Sequence, residues 1–187
     1  LNVIRAIDDN NVKRFIYASS SEVYQSPDKV PTSEKVKLVI PDIMNPRYSY
    51  GGGKIVGELM CVHYLPKRVP YQIFRPHNIY GPNMGFEHVI PEFIKKIYQS
   101  KENLNNKFPI KVQGGGLSSR SFCYLKDFGR AFRIMWEKGE ENQIFNIGTD
   151  KEVKILEILN ILSKITNKEF DLIAEDSPLG STERRCP

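Results

Sequence analysis

The stretch Arg47-Tyr-Ser-Tyr-Gly-Gly-Gly-Lys-Ile-Val-Gly-Glu58 decides how the rest of the chain can be interpreted. Tyr50 and Lys54 stand four residues apart in it, and residues at this spacing share one face of a helix. An ammonium group held beside a phenol favours the phenolate over the neutral phenol. The pair is therefore suited to take a proton from a hydroxyl group, although the same spacing also arises by chance on solvated helix faces.

Three consecutive glycines, Gly51 to Gly53, follow the tyrosine and complicate the helix prediction. Inside a helix they cost about 2.5–3 kcal/mol relative to alanines, so a turn is the competing interpretation. A phosphate-binding P-loop is excluded, because the spacing Gly-x-x-x-x-Gly-Lys-Ser/Thr is absent and Ile55 follows the lysine. We expect a helix that starts here and is approached closely by another group at its glycines.

Composition predicts a soluble globular protein. The chain has 187 residues, of which 40% are hydrophobic, which suits one domain or one domain with a small lobe. Its formal net charge of +5 is dispersed and not interleaved with aromatic residues, so no nucleic-acid partner is expected. A few focused arginines would instead serve an anionic small substrate.

The cysteines indicate a reducing compartment, and we expect a cytoplasmic protein. Cys61, Cys123 and Cys186 form no Cys-x-x-Cys pair, so neither a disulfide framework nor a zinc site is predicted. No run of about 18 apolar residues is present, so no membrane partner is expected. The chain opens at Leu1 in what resembles the end of a helix, and we expect a fragment of a longer protein.

The order of the predicted elements favours an α/β fold with a parallel sheet. A β-prone run from Val12 ends in Ser19-Ser-Ser21, a helix is predicted from about Tyr48 to Tyr64, and Val69–Phe74 forms the next buried strand. This order implies a right-handed crossover between parallel strands, whose carboxyl edge is where ligands bind. Further elements are predicted at about Val89–Ser100 (helix), Ile110–Gln113 (strand), Lys126–Glu137 (helix), Gln143–Ile147 (strand) and Lys154–Ile165 (helix), with a solvated insertion over Lys101–Lys107.

Apolar residues at spacings of three and four predict the buried faces of two of these helices. They are Val89, Phe93, Ile94 and Ile97 in the first, and Ile155, Ile158, Leu159, Leu162 and Ile165 in the last.

Five motifs follow one another along the chain: Phe15-Ile-Tyr-Ala-Ser-Ser-Ser-Glu-Val-Tyr24, Tyr50-x-x-x-Lys54, Phe74-Arg-Pro-His-Asn-Ile-Tyr-Gly-Pro82, Arg120-Ser-Phe and Phe145-Asn-Ile-Gly148. Together they resemble the NAD-dependent epimerase/dehydratase family, extended short-chain dehydrogenases that act on nucleotide sugars. The resemblance implies the C-terminal part of a Rossmann-type doubly wound parallel sheet (residues 1–82 and 123–148). It also implies a small α/β substrate-binding lobe (residues 83–122 and 149–187).

The resemblance assigns catalytic and cofactor roles. Tyr50 would be the acid/base that removes a sugar hydroxyl proton, and Lys54 would favour its ionised form and hydrogen-bond the nicotinamide ribose of NAD. Ser20 would hydrogen-bond the same sugar oxygen, with a strand-end cap as its alternative role. Pro76 and His77 would lie where the backbone meets the nicotinamide. No metal is expected, because no second ligand stands near His77 at metal spacing.

The implied substrate is a nucleotide-diphosphate sugar. Planar guanidinium groups suit pairs of phosphate oxygens, and asparagine supplies an amide donor. The expected substrate-binding residues are Ser21, Glu22, Asn78, Arg120, Arg184 and Arg185. For the last two, a solvated surface position is an equal alternative.

One departure from the family pattern concerns NAD. Members begin with a Gly-x-x-Gly-x-x-Gly turn whose amides hold the cofactor pyrophosphate, and this sequence has none. We therefore expect that the polypeptide as given cannot hold NAD tightly or turn over, and we assign function to the full-length protein. A homodimer is expected through the helix of Tyr50, with Val56, Met60 and Tyr64 facing outward.

The residues around Glu22 bear on which reaction is catalysed. Sugar 4,6-dehydratases carry Asp-Glu after their catalytic threonine, whereas Ser21-Glu22 follows Ser20 here, so dehydration is disfavoured. Sugar-acid decarboxylases show Ser-Ser-Glu and a later Arg before Pro, which Arg185-Cys-Pro187 partly matches. The leading hypothesis is a 4-epimerase that works by transient oxidation of the sugar, with Glu22 as a further catalytic or sugar-orienting residue. An inactive binding or structural module is the alternative of another class.

Overall fold

The computed structural model describes residues 2–65, 69–99 and 107–187. The helices of this part are α1 (Asn2–Asp9), α2 (Ser49–Tyr64), α3 (Val89–Gln99), α4 (Leu125–Lys138) and α5 (Ile155–Thr166), with short 3₁₀ helices at Ser21–Tyr24, Pro46–Tyr48 and Gly114–Gly116. The strands are β1 (Phe15–Ala18), β2 (Tyr71–Pro76), β3 (Ile79–Tyr80), β4 (Lys107–Gln113), β5 (Ser119–Ser121), β6 (Cys123–Tyr124), β7 (Gln143–Ile147), β8 (Glu152–Lys154), β9 (Glu169–Glu175) and β10 (Arg184–Arg185). Most of the predicted insertion, residues 101–106, lies outside the described residues.

A parallel sheet in the order β1-β2-β7 positions the site. The predicted order of strand, helix and parallel strand is confirmed for β1, α2 and β2, and Phe74 of β2 pairs with Ala18 on one side and Phe145 on the other. Helices α1 and α2 cover one core of this sheet, which includes the buried side chains of Ile7, Cys61, Leu65, Val69, Tyr71 and Ile73. The carboxyl ends of the three strands meet at one edge, where the chain continues into Ser19, His77 and Gly148.

The second core lies between two helices and a two-stranded parallel sheet. Strands β4 and β9 pair along seven residues each, and α3 and α5 pack on them through buried residues that include Phe93, Ile97, Ile110, Val112 and Leu159. A further small sheet has the order β10-β5-β8, and β3 pairs with β6. Strands β8, β9 and β10 were absent from the sequence prediction, since β9 is largely exposed and carries three charged residues, while β8 and β10 span only three and two residues.

Two predicted core positions are wrong. Ile94 is 37% exposed and Ile165 is 74% exposed. Phe93 and Ile97 define the inward line of α3, and Ile94 lies about 100° around the helix from Phe93. Ile165 belongs to the last turn of α5, which ends where Asn167 adopts the left-handed conformation. The apolar stripe therefore extends beyond the surface that the sheet covers.

A buried ion pair joins α2 to β2. Arg75 donates from Nε to Oε1 of Glu58 at 2.9 Å and from Nη2 to Oε2 at 2.5 Å, and both residues are almost fully buried. Glu58 also accepts a hydrogen bond from the hydroxyl of Ser19, and Arg75 donates to the Tyr24 hydroxyl at 2.8 Å. Removal of one partner from such a pair leaves an uncompensated charge and costs about 3–5 kcal/mol.

Helix α2 runs through the three glycines, and the close approach expected there is confirmed at Gly51. A Cβ on Gly51 would lie 2.7 Å from the carbonyl oxygen of Glu22 and would also meet the side-chain amide of Gln25. Gly53 differs, because no atom lies within 4 Å of the position that its Cβ would take. Only the first of these two glycines is therefore required by packing in the described structure.

Substitution of the two glycines should have opposite effects on stability. We expect Gly51→Ala to lower the free energy of unfolding by about 1–3 kcal/mol, because rigid backbone stands where the methyl group must go. Gly53→Ala should raise it by about 0.5–1 kcal/mol through helix propensity alone. Chemical denaturation of the full-length variants, followed by circular dichroism, measures both. Equal destabilisation by the two changes would contradict this account of the helix.

In the described part of the chain, no helix combines the length and the apolar character that crossing a bilayer requires.

Candidate active site

A cleft of about 900 Å³ opens at the carboxyl edge of the main sheet. Its other wall comes from α3 and β4, which contribute Phe93, Val112 and Gln113. Seven of the residues predicted for the site line it: Ser20, Ser21, Glu22, Tyr50, Pro76, Asn78 and Arg120. Four do not line it: Lys54, His77, Arg184 and Arg185.

Tyr50 and Lys54 lie together on α2, as their spacing predicts. The Tyr50 side chain is 57% exposed in the first turn of the helix. The Nζ atom of Lys54 lies 5.6 Å from the centroid of that ring and donates a 2.8 Å hydrogen bond to the carbonyl oxygen of Ala18. It also lies 5.4 Å from the ring centroid of Tyr17. The ammonium group is thus fixed at the end of β1, beside the phenol.

Ser20 caps the short helix that follows β1. Its Oγ accepts a hydrogen bond of 3.1 Å from the backbone N–H of Glu22. The capping role considered as an alternative is therefore present, but it uses only an acceptor lone pair. The hydroxyl proton remains a donor that can meet a ligand oxygen in the cleft.

Glu22 lines the cleft, and its carboxylate is bound by Arg185, which does not line the cleft. Arg185 donates to both carboxylate oxygens of Glu22, at 3.1 Å from Nη2 and with a shorter contact from Nη1. It also donates to the hydroxyl of Thr182 at 2.9 Å and is only 3% exposed. Arg185 is therefore placed to fix a carboxylate in the cleft wall, whereas its predicted direct contact with substrate phosphate would need a route past Glu22.

Arg184 points away from the cleft because successive side chains of a strand alternate between its faces. Its guanidinium is exposed and pairs with Glu152, with 2.7 Å between Nη2 and Oε2. The two residues line a separate, shallow hollow together with Ser119. The structure thus does not bring Arg184 together with the other predicted site residues.

Arg120 lines the cleft with its guanidinium anchored to the backbone. It donates to the carbonyl oxygens of Ser119 and Thr182, each at 2.7 Å, and to that of Glu183 at 3.3 Å. Burial, followed by the nearby charge of Arg185, lowers the pKa of Arg120 to about 10. The group remains cationic at neutral pH, and no carboxylate among the described residues is bonded to it.

His77 is a buried residue of the sheet edge and lies outside the cleft. Its Nε2 lies 3.3 Å from Oδ1 of Asn146, and its Nδ1 has no hydrogen-bond partner among the described residues. Burial lowers the pKa of His77 to about 4, so the ring is neutral at pH 7. The next residue, Asn78, does line the cleft and donates from Nδ2 to the carbonyl oxygen of Ser121 at 3.0 Å.

No group of three His, Cys, Asp or Glu side chains is placed to hold a metal ion among the residues that the structure describes.

Arg47 is a cleft residue that the sequence analysis did not assign to the site. It is the first residue of the stretch Arg47–Glu58 and stands three residues before Tyr50. Residues at this spacing share a face of a helix, so the signal was available in the sequence.

The buried His77 should make stability depend on pH. Between about pH 6.5 and pH 4 the unfolded chain binds a proton at this ring and the folded chain does not. The free energy of unfolding should therefore fall as pH is lowered through this window, by up to about 1.4 kcal/mol per pH unit from this residue. Urea denaturation at several pH values should show a shallower fall for His77→Gln, which keeps an amide donor for Asn146. Identical pH profiles would contradict the prediction.

Comparison with known proteins assigns the fold to a family. The model of the NAD dependent epimerase/dehydratase family matches residues 1–148. The chain is 34% identical over 161 residues to the dTDP-D-glucose 4,6-dehydratase of Dictyostelium discoideum, which covers 83% of this chain and 36% of that protein. It is 31% identical over 175 residues to the human dTDP-D-glucose 4,6-dehydratase, covering 91% of this chain and 46% of that protein.

Solved structures show the same fold. The UDP-glucuronic acid 4-epimerase of Bacillus cereus, in complex with UDP-glucuronic acid and NAD, superposes with a TM-score of 0.82 at 24% identity, over 98% of this chain and 55% of that one. The dTDP-glucose 4,6-dehydratase of Streptomyces venezuelae, with NAD bound, gives a TM-score of 0.82 at 22% identity, over 98% and 54%. The chain therefore spans about half the length of these proteins, and less than half of the two curated relatives.

Proposed function

The chain belongs to the NAD dependent epimerase/dehydratase family, and on this premise we propose that the full-length protein is a nucleotide-sugar 4-epimerase that works by transient oxidation of the sugar. The main support for the proposal is that Tyr50, Ser20 and Arg120 line the same cleft. A proton acceptor, a hydroxyl donor and an anchored cation there face one space large enough for a sugar.

The proton chemistry follows from the positions of three side chains. Tyr50 takes the proton of the sugar 4-hydroxyl, and Ser20 donates to the same oxygen and stabilises the charge that develops on it. The ammonium of Lys54 donates to the carbonyl oxygen of Ala18 and lies 5.6 Å from the centroid of the Tyr50 ring. The reverse proton transfer from Tyr50 follows after the planar 4-keto sugar has presented its other face. Bound NAD supplies the acceptor, and then the donor, of the hydride at C4.

The residues present fit the nicotinamide-ribose end of NAD. The phenolic oxygen of Tyr50 and the ammonium of Lys54 can both hydrogen-bond ribose hydroxyls, and open space lies over the exposed face of α2 at Gly53. Pro76 at the end of β2 forms part of the cleft wall. The sequence contains no Gly-x-x-Gly-x-x-Gly turn for the pyrophosphate, so these residues would hold only the nicotinamide-ribose end of the cofactor.

Arg120 and Asn78 are the proposed contacts for the substrate diphosphate. A guanidinium held by backbone carbonyls loses little conformational entropy when it binds an anion. In this proposal residues 83–122 and 149–187 form the substrate-binding lobe, and the remainder of the chain belongs to the NAD-binding domain.

The full-length protein is proposed to dimerise through α2. Val56 and Tyr64 are 54% and 70% exposed on this helix, as is Leu59 at 52%. Met60, the third predicted outward residue, is half-buried.

A 4,6-dehydratase is the second candidate, because both curated relatives above carry that name. Elimination needs an acid that protonates the leaving 6-hydroxyl. The residue before Glu22 is Ser21, which cannot play this part, and Glu22 itself is paired with Arg185. These contacts favour epimerisation over dehydration.

Tyr50→Phe should lower turnover by about a hundredfold or more, the usual scale of general acid–base assistance. Binding of the nucleotide sugar should change little, since the ring is retained. Turnover of a panel of UDP-, GDP- and dTDP-sugars by the full-length protein, with products identified by NMR, measures the effect. Tyr48→Phe is the matched control, because Tyr48 does not line the cleft, and it should keep its turnover. A Tyr50→Phe variant with near-normal turnover would refute the catalytic assignment.

Glu22→Gln separates the candidate reactions. If the enzyme only inverts C4, the change should cost less than about tenfold in turnover, because Tyr50 and the cofactor already handle proton and hydride. If it decarboxylates or dehydrates, a second acid/base is lost and the cost should be about 10² to 10⁴.

Because Glu22→Gln leaves the Arg185 charge buried without its partner, rates should be referred to the folded fraction. The double variant Glu22→Gln/Arg185→Met removes that charge and serves as the control. Accumulation of a keto sugar, trapped with borodeuteride, would show that 4-epimerisation is the wrong reaction.

A further inference from the structure

The charged side chains around the cleft leave two guanidinium groups without a carboxylate. Three of the four glutamates that line it are already in ion pairs, namely Glu22 with Arg185, Glu92 with Lys96 and Glu175 with Lys111. The two arginines in the lining, Arg47 and Arg120, have no carboxylate partner within the described ranges. The cleft therefore offers two guanidinium groups to an anionic ligand, and they lie near enough for the charge of Arg47 to act on Arg120.

The two arginines differ in how their donors are used. The guanidinium of Arg120 donates hydrogen bonds to three backbone carbonyl groups. The guanidinium of Arg47, in contrast, makes no hydrogen bond or ion pair with any residue that the structure describes. The backbone N–H of Arg47 is nevertheless fixed, since it donates to the side chain of Asn45 at 3.0 Å. Its side-chain stem passes over Gly180, with Cδ 3.4 Å from where a Cβ on that glycine would stand. The backbone of Arg47 is thus fixed, while its side chain is exposed and has all its guanidinium donors available.

Arg47 lies on the same side as the proposed proton acceptor. The short helix Pro46–Tyr48 continues directly into α2 at Ser49, so Arg47 and Tyr50, three residues apart, share a face. Both line the cleft. An anion bound by Arg47 would therefore lie next to the sugar carbon on which Tyr50 acts.

The structure of a nucleotide sugar indicates which anionic group could lie beside Arg47. The diphosphate is attached at C1, across the pyranose ring from C4. The substituent of C5 is adjacent to C4, and it is a carboxylate in a uronic acid and a hydroxymethyl group in an ordinary hexose. Arg120 can take the diphosphate, and Arg47 then faces the C5 substituent.

We propose that Arg47 binds the carboxylate of a nucleotide-linked uronic acid, and that such sugars are the substrate class of this site. The inference rests on the proposed function, because it places C4 at Tyr50. A planar guanidinium can hold both carboxylate oxygens. The nearest lining carboxylate in sequence, Glu22, does not compete for Arg47 because Arg185 neutralises it. A uronic acid has no 6-hydroxyl to eliminate, so this substrate class is incompatible with 4,6-dehydration.

Binding to the full-length protein tests the proposal with two ligand pairs, UDP-glucuronate against UDP-glucose and GDP-mannuronate against GDP-mannose. Within each pair the sugars differ only in a carboxylate or a hydroxymethyl group at C5. For the nucleotide that binds, titration calorimetry should show the uronate bound about tenfold to a hundredfold more tightly than the hexose. Arg47→Met keeps the side-chain stem over Gly180 and should bring that ratio to about one, while Arg47→Lys should retain part of it. Affinity for free UDP or GDP should not change.

Two results would overturn the proposal and leave the proposed function standing. One is equal binding of hexose and uronate by the unchanged protein. The other is an Arg47→Met variant that loses affinity for the free nucleoside diphosphate as much as for the uronate, which would make Arg47 a diphosphate ligand. Failure of both pairs to bind at all would refute the inference, and absence of turnover with every UDP-, GDP- and dTDP-sugar of the panel would refute the proposed function. Thermal unfolding of the Arg47 variants should match that of the unchanged protein.

Discussion

The ion pair between Glu58 and Arg75 is the interaction on which the geometry of the site depends. It joins the middle of α2 to the end of β2, and both side chains are almost fully buried. Such a pair is tolerated only when its remaining donors and acceptors are satisfied, and here Ser19 and Tyr24 complete it. The chain leaves this cluster directly into the cleft, since Ser20 follows Ser19 and Pro76 follows Arg75. One buried contact therefore fixes the spacing between the end of β1, helix α2 and the end of β2.

A second group of hydrogen bonds connects the sheet to the long loop between Gln25 and Pro46, which has little regular structure. Asn146 of β7 is its centre: it accepts from the Tyr24 hydroxyl, donates from Nδ2 to the carbonyl of Thr32, and donates from its backbone N–H to Glu34, each at 2.8 Å. Arg75 reaches the carbonyl of Glu34 at 3.1 Å. These hydrogen bonds tie the loop to the sheet, and the loop leads into the segment that presents Arg47 and Tyr50.

Sequence spacing predicted those parts of the site whose geometry depends only on neighbouring residues. The four-residue spacing of Tyr50 and Lys54 and the position of Ser20 at a strand end are set by helix and strand geometry, and the structure has them as expected. The difference between Arg184 and Arg185 was not available in this way, because it depends on a two-residue strand whose partners lie more than 60 residues away. The same holds for the role of Arg185 behind Glu22, a contact across 163 residues. Apolar periodicity identified α3 and α5, but it could not show where the sheet stops covering them, and so Ile94 and Ile165 were misplaced.

The most direct test of the central claim, that the cleft at the sheet edge holds the reacting sugar, is a crystal structure of the full-length protein with a bound nucleotide sugar. The deciding quantity is the distance from the Tyr50 hydroxyl to a ring hydroxyl of the sugar. We predict about 2.6–3.2 Å, the range for proton transfer, with the same sugar oxygen hydrogen-bonded to Ser20. A sugar bound in the hollow beside Arg184, or one whose hydroxyl groups all lie beyond reach of Tyr50, would contradict the account.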